Sequence, residues 1–336
     1  MFLAKKHLKL FCFFCSLFIL VLLGCNSSDS ERNQKTIILA HAMHLTHPVS
    51  IAMESMAEYL DEYSNGKLNM VIYPAGQLGG ERELLELIQI GTIGMTKVSA
   101  GSLENIVPEM RVFSLPYLFR DKEHMEHVLW GEIGEELLET GTKYRLKGIA
   151  YYDAGSRSFY SVDRPIHSPE DLRGMKIRVM PSAMATMFIR TYNASPTPLA
   201  YGELYTAFQG GIVDAAENNP PSFYTSRHYE VCNYYILNEH TTIPDVLVLG
   251  THVWDNLTEQ EQKWLQRAVD DSVELQRVLW EESVEESYRI VQEAGVEIIN
   301  PDIEPFREHS RPLYESFRNN TPELYRWVER IQQAAE

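Results

Sequence analysis

Hydrophobic and polar positions along this chain keep two different periods. Thr36 to His41 is a short, nearly continuous apolar run and reads as a buried strand. From Val49 to Tyr63 the apolar residues Ala52, Met53, Met56, Leu60 and Tyr63 recur at helical spacing. Asn65-Gly66 closes that segment with a residue suited to the left-handed end of a helix. Leu68 to Tyr73 alternates as a strand, Gly76 to Gly80 forms a turn, and Glu81 to Ile90 is a helix stopped by Gly91. Ile93 to Val98 is the next strand. This strand-helix rhythm predicts a mainly parallel sheet with helices on both faces.

The rhythm restarts after Gly148, with strands at Ile149–Asp153 and Met175–Met180 and helices over 183–192 and Tyr201–Gln209. Two α/β lobes in one chain imply a cleft between them. Trp264 to Ala294 is a single long helical pattern with Gly295 as its stop, about 45 Å at 1.5 Å per residue. That exceeds what one lobe needs, so the helix is expected to brace both.

The amino terminus carries Lys5, Lys6 and Lys9, then an apolar run from Leu10 to Gly24, shorter than the roughly 20 residues of a spanning helix. A basic flank, a short apolar stretch and a small residue before the break describe an export signal. Cys25 after Leu22-Leu23-Gly24 resembles a bacterial lipobox, in which the thiol is lipidated and the chain is cut before it. The alternative is a plain secretory signal with a chance cysteine. Asn26 to Ser30 then forms a polar tether. Removing residues 1–24 takes away three lysines and no acid, moving the net charge from −17 to −20. Cys12 and Cys15 go too. With Cys25 acylated, Cys232 has no partner and reads as a small core residue.

A chain this acidic, with no Lys/Arg cluster, excludes nucleic acid as a partner. An anionic ligand would need local positive charge. Arg178, among the apolar residues of Gly174–Met180, suggests a carboxylate clamp, because its planar fork grips both oxygens. Arg157 in Gly155–Tyr160 is a second candidate. For both, the alternative is a structural ion pair. Lys97, inside the strand Met95–Ser99, needs an anionic partner or a route to solvent. His41, His44 and His47 sit three apart, but Pro48 breaks any regular ligand face, so a loop near ligand is favoured over zinc. His44, at the carboxyl end of the first strand, is where open α/β sheets place ligand contacts. Gly76, Gly79 and Gly80 make no phosphate loop, and neither a nucleophile elbow nor a His-Glu-x-x-His helix occurs. No catalytic residue, metal or cofactor is expected.

From Asp171 to Pro220 the chain resembles a known family. Leu172-Arg173-Gly174-Met175-Lys176-Ile177-Arg178-Val179 is followed by Ser195-Pro196-Thr197-Pro198, by Gly202–Ala207 and by Gly211-Ile212-Val213-Asp214-Ala215-Ala216-Glu217-Asn218. Tyr73–Gly79 and Leu115–Phe119 add landmarks, and the match runs in order over about 36–315. The pattern is similar to the DctP-type solute-binding subunits of TRAP (tripartite ATP-independent periplasmic) transporters. The resemblance implies a two-lobed, hinge-linked, periplasmic-binding-protein-like fold that closes on an organic acid and delivers it to membrane permease subunits. It implies a signal peptide at 1–24 and a lipid-anchored tether at 25–35. It further implies a first lobe of 36–154 and about 244–282, and a second of 155–243 and about 283–336.

By the same resemblance, Arg178 grips the substrate carboxylate, Asn218 contacts ligand beside it, and Arg157 and Tyr201 line the site. First-lobe contacts fall at His44, Glu81, Lys97 and Ser99. Asp214-Ala215-Ala216 stands where the family usually has Asp-Gly, a local tightening that leaves the site intact. Asn218-Asn219-Pro220-Pro221-Ser222 and His41-Ala42-Met43-His44 look like members that carry hexuronates. Several donors and acceptors in the first lobe suit hydroxyls, whereas a C4-dicarboxylate would be repelled by Glu81. The competing readings are the same receptor for a dicarboxylate or keto acid, and an exported enzyme using Glu81 with a second acid.

Overall fold

The computed structural model describes residues 34–334; the amino-terminal segment with Cys25 lies outside them. In chain order the strands are β1 (Lys35–Ala40), β2 (Leu68–Tyr73), β3 (Met95–Ser99), β4 (Leu146–Tyr152), β5 (Ser156–Ser161), β6 (Lys176–Val179), β7 (Ser195–Pro198), β8 (Ala215–Asn218), β9 (Tyr234–Thr242), β10 (Asp245–Gly250) and β11 (Glu297–Ile299). The first helices are α1 (Pro48–Ser64), α2 (Glu81–Gln89), α3 (Ala100–Leu103), α4 (Lys122–Leu129), α5 (Glu132–Glu139) and α6 (Ala183–Thr191). They are followed by α7 (Leu204–Gln209), α8 (Pro220–Thr225), α9 (Thr251–Trp254), α10 (Glu259–Glu293), α11 (Ile303–Asn320) and α12 (Pro322–Gln333). None of the described helices is long and apolar enough to cross a membrane.

Two sheets form, ordered β2-β1-β3-β10-β4 and β11-β9-β5-β8-β6-β7. Each is mixed, where the sequence rhythm predicts mainly parallel sheets. Parallel pairs (β1 with β2 and β3, β6 with β7 and β8) arise from the helix crossovers, as expected. The antiparallel pairs have another origin. β4 runs on into β5 through 153–155, and β9 into β10 through 243–244. β4 pairs antiparallel with β10, and β5 with β9, so two long strands form one ribbon passing through both sheets. Such long-range pairing leaves no local period in the sequence.

Local chemistry sets the helix boundaries. His47 accepts the Val49 N–H to cap α1, Pro48 occupies its first turn, and Asn65 ends it at φ 50°. In α10 the Thr258–Glu261 capping box starts the helix at Glu259, five residues before the apolar pattern begins at Trp264. Its 35 residues extend about 52 Å. The helix packs on α1 of the first sheet's layer and on α8 of the second's. Gln276, fully buried on α10, fastens the ribbon where it crosses: its Oε1 accepts the Asp153 N–H at 3.0 Å and its Nε2 donates to the Asp153 carbonyl at 2.8 Å. Gly155, at φ 54°, turns the chain under Trp280, where a Cβ would stand 3.1 Å from the indole nitrogen.

The apolar core has three parts. One joins α1 and α10 to the first sheet around Met53, Leu60, Leu247 and Val269, and one lies behind the second sheet around Tyr160, Phe223 and Tyr235. The largest runs through both lobes, from Leu84 and Phe113 to Phe159, Phe188 and Phe306. The sequence division assigns all of 283–336 to the second lobe, but α12 packs on the Pro108–Ser114 turn. Its Arg330 also holds Glu136 of α5 by two bonds of 2.7 and 2.8 Å. The carboxyl terminus thus returns to first-lobe residues.

Candidate functional site

The carboxyl ends of β3, β6 and β8 and the ribbon crossing meet at a small interlobe cavity. It is lined by Met43, Glu81, Lys97, Ser99 and Asp245 on one wall and by Arg157, Arg178, Met180, Tyr201, Asn218, Asn219 and Ser222 on the other, with Ala154 at the crossing. Its volume of about 50 Å³ holds a few waters. The two walls already touch. Glu104 accepts the Ser182 hydroxyl at 2.7 Å and the Met184 N–H at 3.1 Å, and the His47 ring meets the Ser222 hydroxyl at 3.3 Å. Ligand entry therefore requires the lobes to part.

Arg178 is 3% exposed on β6. Its Nε and Nη2 both donate to the Leu199 carbonyl, at 3.0 and 2.8 Å, and its Nη1 has no partner among the described residues. None of the described carboxylates pairs with it, and burial pushes its pKa down, because water no longer supports the charge. A buried guanidinium of this kind is costly unless an anion meets it. Arg157 differs. Its Nε bonds Glu217 Oε2 at 2.5 Å, Nη2 reaches the Glu217 carbonyl and Oε1 at 2.9 and 3.1 Å, and Nη1 donates to Asn218 Oδ1 at 2.8 Å. Four of its five N–H groups are committed, so Arg157 lines the cavity mainly as an ion pair that orients Asn218. Burial alone would raise the Glu217 carboxyl; the Arg157 charge and hydrogen bonds, together with those of His240, outweigh it and hold the group at about 2.

On the opposite wall, Lys97 is 2% exposed. Its ammonium lies 3.0 Å from Asp245 Oδ1 and 3.3 Å from Glu81 Oε1. Burial opposes its charge, but the two carboxylates prevail and raise its pKa. The Asp245 carboxyl moves up through burial, which Lys97 offsets only in part. Glu81, in the first turn of α2, also accepts the Ser99 N–H at 3.1 Å. The Ser99 hydroxyl accepts the Gly101 N–H and caps α3. Tyr201 presents its ring to the cavity while its hydroxyl bonds the Ser222 carbonyl at 3.2 Å and the Ser226 hydroxyl.

Of the residues singled out by sequence, Arg178, Arg157, Asn218, Tyr201, Glu81, Lys97 and Ser99 converge here. His44 does not. The Met43 N–H bonds His41 Nδ1 and the Met43 carbonyl accepts the Ala75 N–H, which fixes residue 43 inward and turns the His44 side chain to solvent. His41 and His47 are buried apart as neutral rings; burial and then the Lys97 charge lower His41 to about 3 and His47 well below its ordinary range. Among the described residues no cluster of His, Cys, Asp and Glu could hold a metal. Cys232 is buried, and burial raises its thiol pKa.

Sequence reading did not single out Asp245, Met43, Met180, Asn219, Ser222 or Ala154 as site residues. Asp245 left a signal: an acid directly after Pro244, at the head of the wholly apolar run Val246–Leu249. A larger cavity of about 480 Å³ lies against the ribbon. Its Lys122 is already paired with Glu281 and Glu126, and its buried Asp153 accepts the Gly155 N–H. Size alone does not make it a ligand site.

Comparison with known proteins agrees with this geometry. Residues 39–320 match the family model for bacterial extracellular solute-binding proteins, family 7 (DctP). The chain is 38% identical over 298 residues to YiiZ of Salmonella typhimurium, an uncharacterized protein, covering 88% of this chain and 90% of that one. A TRAP periplasmic solute-binding protein from Bradyrhizobium, solved with galacturonate, is 39% identical at a TM-score of 0.86, covering 89% of this chain and all of the other. One from Chromohalobacter salexigens, solved with D-glucuronate, is 33% identical at 0.87, with 89% of this chain and all of the other covered. The chain belongs to family 7 of the bacterial extracellular solute-binding proteins, the DctP-type receptors of TRAP transporters.

Proposed function

We propose that this receptor captures a hexuronate such as glucuronate or galacturonate outside the cytoplasm and hands it to the membrane permease subunits of its transporter. The observation that carries the reading is Arg178, a buried guanidinium that meets no carboxylate among the described residues, in a wall where Arg157 has one. A ligand carboxylate is the missing counter-ion. Asn218, oriented by Arg157, stands beside it, and the Tyr201 ring offers an apolar face to a sugar ring. Across the cavity Glu81, Lys97 and Ser99 offer hydroxyl contacts. The ligands of the Bradyrhizobium and Chromohalobacter proteins support a uronate over a dicarboxylate. No bond is made or broken: members of this family bind a solute and do not transform it. The ligand stabilises the closed lobes because only there do both walls touch it.

A thermal-shift panel of hexuronates, aldonates, dicarboxylates and keto acids tests this. A ligand at 100 times its dissociation constant adds about 2.7 kcal/mol of stability. A uronate should raise the midpoint of the native protein and leave Arg178→Ala unmoved; a shift only with dicarboxylates would retain the receptor and reject the substrate. We further propose that the chain is exported, cut before Cys25 and lipid-anchored there, with residues 25–35 as its tether. Cys25→Ser should move the protein from the membrane to the soluble fraction; unchanged fractionation would count against the anchor.

A further inference from the structure

The two walls of the cavity carry opposite charge. On the second-lobe wall the Arg157–Glu217 pair is neutral and Arg178 stands alone, so that wall is net positive. On the first-lobe wall one ammonium, Lys97, faces two carboxylates, Asp245 and Glu81, so that wall is net negative. An anion site has no need of this second arrangement. Removing either acid would leave Lys97 paired and would strengthen anion binding, yet both acids line the cavity.

The free atoms indicate what the negative wall reads. Asp245 gives Oδ1 to Lys97; Oδ2 has no partner among the described residues, although the side chain is only 10% exposed. Glu81 gives Oε1 to Lys97 and to the Ser99 N–H, and its Oε2 has no partner among the described residues. Lys97 keeps one N–H after serving both carboxylates. Two acceptors flanking one donor complement neighbouring hydroxyls. One hydroxyl oxygen accepts the remaining lysine N–H, and the hydroxyl O–H groups donate to the carboxylates. A methylene, a ketone or a second carboxylate brings no proton here and leaves buried acceptors unsatisfied.

We propose that Asp245 is a specificity-determining residue: with Glu81 and Lys97 it reads a pair of ligand hydroxyls and turns away any acid with a second carboxylate at that end. This rests on the receptor reading above and assigns its selectivity to one side chain. Asp245 is suited to the task by position. It is the first residue of β10, directly after the ribbon crosses from the second lobe, so its carboxylate is fixed at the crossing while Glu81 enters from α2.

The test is calorimetric titration of the native protein and Asp245→Asn with D-glucuronate, succinate and a set of monodeoxy-hexuronates. Asp245→Asn keeps the shape and removes the charge. It should bind glucuronate 10- to 100-fold more weakly, the range for a lost hydrogen bond to a charged group, and bind succinate that the native protein refuses. One monodeoxy acid should bind the native protein weakly and Asp245→Asn no more weakly than glucuronate does. That cycle needs only folded variants with measurable affinity, and a monodeoxy series on the native protein alone still reports if Asp245→Asn does not fold: equal affinity for every member overturns the proposal. Glucuronate affinity within twofold of native together with continued refusal of succinate in Asp245→Asn overturns it too. Native protein that binds succinate and no uronate instead fails the receptor's substrate reading, a separate result visible before any variant is made.

Discussion

Arg178 and Arg157 sit on strands either side of β8, equally buried, and differ in whether the protein supplies their counter-ion. Their removal should therefore have opposite consequences. Arg157→Met leaves Glu217 as an uncompensated buried charge and should cost about 3–5 kcal/mol. Arg178→Met removes a lone buried charge along with two bonds to one carbonyl, and should change ligand-free stability by only about 1 kcal/mol while abolishing binding. Urea unfolding of the two variants without ligand checks the contrast. The buried histidines predict acid lability. Burial first, then a nearby cation (Lys97 for His41, Arg178 for His228), lowers both to about 3. A folded pKa below the unfolded value means stability is complete above about 6.5 and is lost as pH falls toward 3. Between pH 6 and 4.5 each should cost on the order of 1–2 kcal/mol. Denaturant titrations at stepped pH should show the fall, and His228→Gln should flatten it. Arg178 was legible in the sequence because an arginine inside an apolar strand demands an explanation. Met43 was not, and Asp245 left only the mark of an acid after Pro244, since their place depends on a loop and a pairing that no local spacing encodes.

Five helices were legible in 3.6-residue periods and caps, whereas others, the 18-residue α11 and the 12-residue α12 among them, were not. α1 and α2 lie close to their predicted spans, and α10 begins early only because its capping box precedes its apolar face. The ribbon strands were less so. β5, β9 and β10 owe their direction to partners far along the chain, and β7 carries two prolines that an edge strand tolerates but that obscure it in sequence. At this scale the clamp of Gln276 on Asp153 is the testable feature. Gln276→Leu strands a buried N–H and a buried carbonyl at the crossing and should cost about 1–3 kcal/mol. Hydrogen exchange should speed at the Asp153 and Gly155 amides before it does in α1. Uniform slowing or no local change would mean that the helix does not fasten the crossing.

For the whole molecule, a net charge of −17 repels the anion that one buried arginine attracts, so capture relies on a local site and on closure around it. The walls meet through Glu104, Ser182, His47 and Ser222, so a ligand enters and leaves the cavity between them only when the lobes part. Because the ligand stabilises the closed lobes, small-angle scattering should report a smaller radius of gyration with saturating uronate than without. The most direct test of the central claim is calorimetric titration of the purified protein with D-glucuronate and D-galacturonate beside Arg178→Met. The account predicts saturable one-to-one binding of at least one hexuronate and none by Arg178→Met. No heat with either sugar acid, or equal binding by Arg178→Met, would contradict it.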